Sequence, residues 1–222
     1  MIPLISSSRL KIGSGTNIVW DGNSLFVGVP GANGNGIPAK AEEMAPILGS
    51  GATSTNLGVG GQTWRKMDGL DGGDASDVDG AYDDEADSNI LILLESTNAA
   101  WAGRSGAQMI DDATTYIGNR RQAHAWTGVV LITPPPRLGD ATQCGRLADF
   151  VDLARENYRA MGVDVLVDVR AYAGGLLDFL GTDVSQFNAS SEYWHTDHVH
   201  FNETGADLVA EMVAHGLRRL RA

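Results

Sequence analysis

Cysteine is almost absent from this chain: Cys144 is the only one in 222 residues. No intrachain disulfide can form, so a disulfide-stapled secreted fold is excluded, although secretion itself is not. A lone cysteine behaves as a small buried or partly buried residue. Cys144 stands at the start of a predicted helix with no His motif beside it, which gives no reason to read it as a nucleophile. Basic residues are also scarce. Lys and Arg number 16 against 28 Asp and Glu, for a net charge of -12. No basic stripe is available to neutralise phosphates, which argues against nucleic acid as a partner and equally against an anionic membrane surface. No stretch approaches the roughly 18 apolar residues of a membrane span. The opening MIPLISSSRLKIGSG lacks the charged start and long apolar run of a signal peptide. The expectation is a soluble protein, cytoplasmic or virion-associated, with its compartment and oligomeric state open.

What is present is ordinary for a globular α/β domain: 43% hydrophobic and 20% charged residues. The length suits a single domain over residues 1–222, with 1–15 as an extended Ser/Gly-rich lead-in. Short β-branched or apolar runs at 16–20, 52–57, 89–94, 128–133 and 163–169 read as strands. Helical patterns lie between them, at about 38–48, 105–125 and 143–161, and a last one at about 203–220 follows Asn202 as a plausible N-cap. Leu147, Phe150, Val151, Ala154 and Tyr158 share one helical face. The stretch 68–87 holds nine acidic residues among Gly, Ala and Ser, and reads as a solvated loop or a partly ordered insertion. Asp74, Asp77, Asp79 and Gly80 miss the spacing of a calcium loop, so no metal is expected there. Strand and helix alternate, which predicts a parallel sheet with helices on both faces and a site beyond the carboxyl ends of the strands.

Four segments fall at that edge. Ser24 follows the first strand in Gly22-Asn23-Ser24-Leu25; its hydroxyl needs a base to become a nucleophile, and its N–H can face a developing oxyanion. Gly61 lies in the Gly-rich turn Asn56-Leu57-Gly58-Val59-Gly60-Gly61-Gln62-Thr63, where a residue without a side chain lets its N–H approach a ligand. Asn98 is expected to end the third strand, with an amide able to donate to an oxyanion. Asp197 and His200 are three apart in the loop before the last helix, a spacing that puts carboxylate and imidazole on one side of a turn. His195 and His198 are competing neighbours; His198 is expected to point away from Asp197. Each segment also has a plain structural reading: Ser24 as a helix cap, Gly61 as a turn glycine, Asp197 as a cap beside a surface His.

Together, GNSL, NLGVGGQT, ILLESTNAA and DHVHFNETGADLVAE resemble the four blocks of the SGNH hydrolase superfamily, the GDSL-type esterases and lipases. The resemblance spans residues 16 to about 215. It implies a flavodoxin-like three-layer α/β/α sandwich on a five-stranded parallel sheet, without metal or cofactor. It assigns Ser24 as nucleophile and first oxyanion donor, Gly61 and Asn98 as the other donors, His200 as base and Asp197 as its orienter. The pattern departs at Asn23, where the family has Asp, at Ser96, where it has Gly, and at Ala99, where it has Asp.

The expected reaction is hydrolysis of a short-acyl ester, O-acetyl on a carbohydrate in particular. Trp64, Trp101 and Trp194 lie near site segments and are candidates to pack against sugar rings, with core or rim positions as the plain reading. Two alternatives stand beside it: a lipase- or thioesterase-type acyl hydrolase, which requires an apolar groove beside Ser24, and a silent carbohydrate-binding module of a phage or surface structure.

Overall fold

A computed structural model describes residues 12–28, 36–43, 51–72, 75–135, 140–172, 195, 197 and 199–220. Five strands, β1 (Thr16–Gly22), β2 (Thr53–Asn56), β3 (Ser88–Leu94), β4 (Gly128–Ile132) and β5 (Val165–Val167), form one sheet in the order β2-β1-β3-β4-β5. Every pairing is parallel. This is the doubly wound order whose direction reverses between β1 and β3, and the crevice outside the carboxyl ends of those two strands is where such sheets bind ligands.

The central strands are continuous apolar runs because both faces are covered. Side chains alternate between two cores. Ile18, Trp20, Ile90, Ile92, Val130 and Ile132 pack with α2 (Ile37–Glu43) and with the last helix, α8 (Glu203–Leu217). Val19, Leu91, Leu93, Val129 and Leu131 pack on the other face, under α5 (Gly106–Ala123) and α6 (Ala141–Asn157). The result is the α/β/α sandwich. The long helices begin as their sequences direct. Ser105 and Gln108 form a reciprocal capping box on α5, Asp140 caps α6, and Asn202 Oδ1 accepts from Gly205 N at 3.0 Å to cap α8.

Four single-turn helices are additions to the expected pattern: α1 (Ser24–Val27), α3 (Trp64–Met67), α4 (Thr97–Trp101) and α7 (Val169–Tyr172). Each is too short for a 3.6-residue period to register. Three of them follow the carboxyl edge of the sheet and carry or flank site residues. β5 is shorter than its apolar run. Val163 closes the preceding helix through its N–H to Tyr158 O at 3.0 Å, and Val169 has already entered α7. The predicted helix over 38–48 is described only to Glu43, and the expected lead-in lies outside the described residues up to position 11.

The acidic stretch is mostly exposed where it is described, but it is anchored to the domain at several points. Val78 is fully buried. Arg120 on α5 reaches Asp79 at 2.8 Å and Asp68 at 3.5 Å, and Asn119 donates to Asp68 at 2.8 Å. Asn17 donates to Ala81 O, Asn89 brackets Asp83, and Tyr82 stacks on His124. The sequence alone does not reveal the anchors on β1 and α5, because those partners lie far along the chain.

Candidate active site

Ser24 owes its place to two tight contacts. β1 ends at Gly22, where a side-chain Cβ would come within 2.2 Å of Leu94 O, so only glycine lets the chain turn against the end of β3. Asn23 then caps α1, its Oδ1 accepting from Leu25 N at 2.9 Å, while Phe26 N bonds to Asn23 O. Of the first N–H groups of this turn, that of Ser24 has no partner among the described residues, as expected of an orphan at a helix start. Ser24 is therefore the first residue of a helical turn, and its cap is Asn23.

The glycine-rich segment is stitched to the same place. Leu57 N bonds to Trp20 O at 2.8 Å and Val59 N to Gly22 O at 3.1 Å. Asn56 works in both directions: its Nδ2 donates to Phe26 O at 3.0 Å and its Oδ1 accepts from Gly58 N at 3.0 Å. Gly61 lies at φ +78, with nothing in the protein within 4 Å of where a Cβ would stand. Its need for glycine is conformational, a left-handed turn, rather than steric within the protein. No hydrogen bond within the described residues engages its N–H.

Asn98 is the second residue of α4; β3 stops at Leu94, so the expectation that Asn98 ends the strand is corrected. Its amide Nδ2 donates to Gln62 O at 2.9 Å, which ties α4 to the Gly61 loop and leaves the second amide hydrogen for a ligand. Ser96 adopts φ 94, ψ -24, a conformation rare outside glycine. This explains why the matching position favours glycine. Here Ser96 Oγ accepts from Trp64 Nε1 at 2.9 Å. Trp64 is fully buried, so it offers no face to a sugar, and that expectation too is corrected. Trp101, on α4, is 60% exposed. Trp194 lies outside the described residues, as does His198.

The base arrives from the other side of the sheet. α8 is held to α2 by the buried Lys40, whose Nζ lies 2.7 Å from Glu203 and 3.7 Å from Asp207. Just before it, the chain turns so that Asp197 Oδ1 accepts from Val199 N at 2.9 Å and His200 N at 3.0 Å. Asp197 Oδ2 lies 2.7 Å from His200 Nδ1, and His200 Nε2 lies 2.8 Å from Ser24 Oγ. Partial burial pushes the Asp197 carboxyl up, but the two backbone N–H groups and the His200 ring outweigh it and hold the group well below the usual carboxylate range. An ionised carboxylate only accepts, so Nδ1 carries the ring proton and Nε2 is left to accept from the Ser24 hydroxyl. His195 is a further neighbour, its Nδ1 3.4 Å from Asp197 Oδ2.

Ser24, His200 and Asp197 thus stand in one hydrogen-bonded line, with Gly61 and Asn98 joined through Gln62 nearby on the same sheet edge. Two participants escaped the sequence reading. Asn56 opens the Gly-rich site segment, but no role was assigned to its side chain. Glu95, directly after the apolar run NILILL, is fully buried and bonds to the N–H groups of Asn98 and Ala99. A carboxylate ending a buried strand was a signal available in the sequence.

No protein-family model and no curated protein matches the chain. Solved structures do. The acetylxylan esterase Axe2 from Geobacillus stearothermophilus aligns with TM-score 0.63 and 16% identity over 94% of this chain and 96% of its own. A member of the lipolytic G-D-S-L family from Veillonella parvula gives 0.64 and 16% over 90% and 97%. A lipase/acylhydrolase from Enterococcus faecalis gives 0.61 and 16% over 93% and 97%. At such identities the likeness is one of fold, and the fold is that of the GDSL-type, or SGNH, esterases and lipases. Among the described residues no helix is long and apolar enough to cross a membrane.

Proposed function

We propose that this chain is a serine ester hydrolase that removes short acyl groups, O-acetyl groups on a carbohydrate above all, through an acyl-enzyme. One observation carries the reading: the line from Ser24 Oγ through His200 to Asp197, with spacings of 2.8 Å and 2.7 Å, at the crevice between β1 and β3. Ser24 Oγ attacks the acyl carbon while its proton passes to His200 Nε2; Asp197 stays ionised and stabilises the imidazolium. The oxyanion is met by the N–H groups of Ser24 and Gly61 and by the free amide hydrogen of Asn98. His200 returns the proton to the leaving alcohol oxygen. A water then gives a proton to His200, its oxygen attacks the acyl carbon, and Ser24 leaves with that proton as the carboxylic acid is released.

A short acyl group is the reading supported by the acetylxylan esterase among the structural relatives. The carbohydrate is supported by the acetylxylan esterase among the structural relatives and by the exposed Trp101, three residues beyond Asn98. The test is hydrolysis of p-nitrophenyl acetate against p-nitrophenyl octanoate by wild type, Ser24→Ala and His200→Ala, with release of acetate from acetylated xylan as the companion assay. Activity confined to acetyl esters and lost in both variants supports the reading. Preference for octanoate replaces it with a lipase. Folded wild type that neither hydrolyses these esters nor reacts with a fluorophosphonate probe overturns it.

A further inference from the structure

Glu95 is the residue whose burial the proposed chemistry leaves unexplained. It follows β3 directly and is completely buried. Taking a carboxyl group out of water is unfavourable unless hydrogen bonds replace the lost hydration. Burial does push this carboxyl up, to about 7, against the opposing pull of nearby backbone N–H groups. Its Oε1 accepts from Asn98 N at 3.1 Å and from Ala99 N at 3.2 Å, and its Oε2 has no hydrogen-bond partner among the described residues. The carboxylate is therefore spent on the turn that presents Asn98.

The usual cap of that turn is not available. Ser96 occupies the N-cap position of α4, but its backbone is left-handed and it makes no side-chain cap bond. Its hydroxyl instead accepts from Trp64. The first N–H groups of α4 would be orphaned inside the protein if Glu95 did not reach them from one position further back. The same α4 turn is held from its other side by Asn98 Nδ2 donating to Gln62 O at 2.9 Å. Asn98 is fixed between two polar anchors: Glu95 at its backbone and Gln62 at its amide.

We propose that Glu95 is a positioning residue that holds Asn98 at the angle needed to donate its free amide hydrogen to the transition-state oxyanion. The inference rests on the reading of Asn98 as an oxyanion donor. Glu95 itself touches neither substrate nor reacting atoms, so its effect belongs in kcat and passes wholly through Asn98. Replacing the carboxylate with an amide of the same shape keeps one acceptor oxygen but removes the charge that roughly doubles the strength of such bonds.

The test is a double-mutant cycle on p-nitrophenyl acetate at pH 8, above the value of about 7 to which burial raises Glu95, using wild type, Glu95→Gln, Asn98→Ala and the double variant. The expected result is a kcat about 10-fold lower in Glu95→Gln with KM within twofold. In the Asn98→Ala background the same change should cost less than twofold. Glu95→Met, which removes both acceptors, should lower kcat about 100-fold with the same dependence on Asn98; should it fail to fold, the Gln arm decides alone. Wild-type kcat in folded Glu95→Gln, a KM that rises in step with the loss, or an equal loss with and without Asn98 overturns the proposal. Were Asn98→Ala itself without effect while Ser24→Ala is dead, the oxyanion reading of Asn98 would fall, and this inference with it.

Discussion

Trp64 donates its indole N–H to Ser96 Oγ at 2.9 Å, and both side chains are shut away from water. The bond explains how a serine is tolerated at φ 94 beside a proposed oxyanion donor. A non-glycine residue in left-handed backbone costs roughly 1–2 kcal/mol, but a buried indole N–H without an acceptor costs roughly 1–3 kcal/mol. Ser96→Gly relieves the first and incurs the second. We expect it to lower stability by about 1 kcal/mol, equivalent to about 2–4 °C in Tm for a chain of this size. Trp64→Phe should cost more, because it adds lost volume to retained strain. Because glycine relieves the strain and phenylalanine has no N–H to satisfy, the double variant should lose less than the sum. Thermal melts of the four proteins check this, and a Ser96→Gly protein more stable than wild type would refute the balance described.

Asp197 makes a sharper kinetic prediction. Asp197→Asn keeps the shape but puts an amide where an acceptor must face His200 Nδ1. The imidazole then has reason to carry its proton on Nε2, the atom that must receive the Ser24 proton. Loss of the correct tautomer should lower kcat by roughly 10³–10⁴ while KM for p-nitrophenyl acetate stays within a few fold. Stability should change little by comparison, since the Asp197 side chain is 38% exposed. Retention of more than a tenth of wild-type kcat would mean that His195, 3.4 Å from the same carboxylate in the wild type, or another group orients the base instead.

Much of this arrangement was legible in the chain itself. The continuous apolar runs NILILL and GVVLI became β3 and β4 because both faces of these strands are covered, and the β-branched and aromatic run TNIVW became β1. Ser24, Gly61, Asn98, Asp197 and His200 could be placed at one edge because each follows a strand end. What the sequence concealed were the single-turn helices, whose lengths carry no period, and bonds that depend on distant partners. Trp64 illustrates the second failure. Its position beside a site segment suggested a ligand contact, yet its side chain turns inward to Ser96 and Tyr116. Nothing local distinguishes an inward from an outward tryptophan in so short a turn.

Asp21 should leave a mark on the pH dependence of stability. Burial raises its carboxyl to about 6 from the ordinary 3.8, against the opposing hydrogen bond from the Tyr116 hydroxyl. The folded state therefore binds a proton that the unfolded chain has released between pH 4 and 6, so stability falls as pH rises through that window and stays lower above it. The shift corresponds to about 3 kcal/mol in this almost fully buried group. Asp21→Asn cannot titrate. The stability of Asp21→Asn minus that of wild type should rise by about that amount from pH 4 to 7 in denaturant titrations. A difference that is flat with pH would show that Asp21 is not held protonated by the fold.

Arg120 should control the acidic stretch. It gathers Asp68 and Asp79 on one side and lies over the Tyr116 ring, 5.4 Å from its centroid, on the other. Its guanidinium bridges two carboxylates of a segment whose own charges repel one another, while Arg65 pairs with a third, Asp71, at 2.6 Å. Arg120→Met preserves much of the side-chain stem while removing the charge, so packing is largely kept and the electrostatic anchor is lost. The stretch 68–87 then keeps Val78, the Asn17 and Asn89 bonds, the Asn119–Asp68 bond, the Arg65–Asp71 pair and the Tyr82–His124 stack, but loses the tie that draws Asp68 and Asp79 together onto α5. We expect global stability to fall by roughly 1–3 kcal/mol, and proteolytic cleavage within 68–87 to become faster by more than the global change accounts for. Cleavage that accelerates only in proportion to global unfolding would place the anchor elsewhere. Added salt separates the cases further: it should speed cleavage of wild type by screening the Arg120–Asp79 pair, whose carboxylate is partly exposed, and should have little such effect on Arg120→Met.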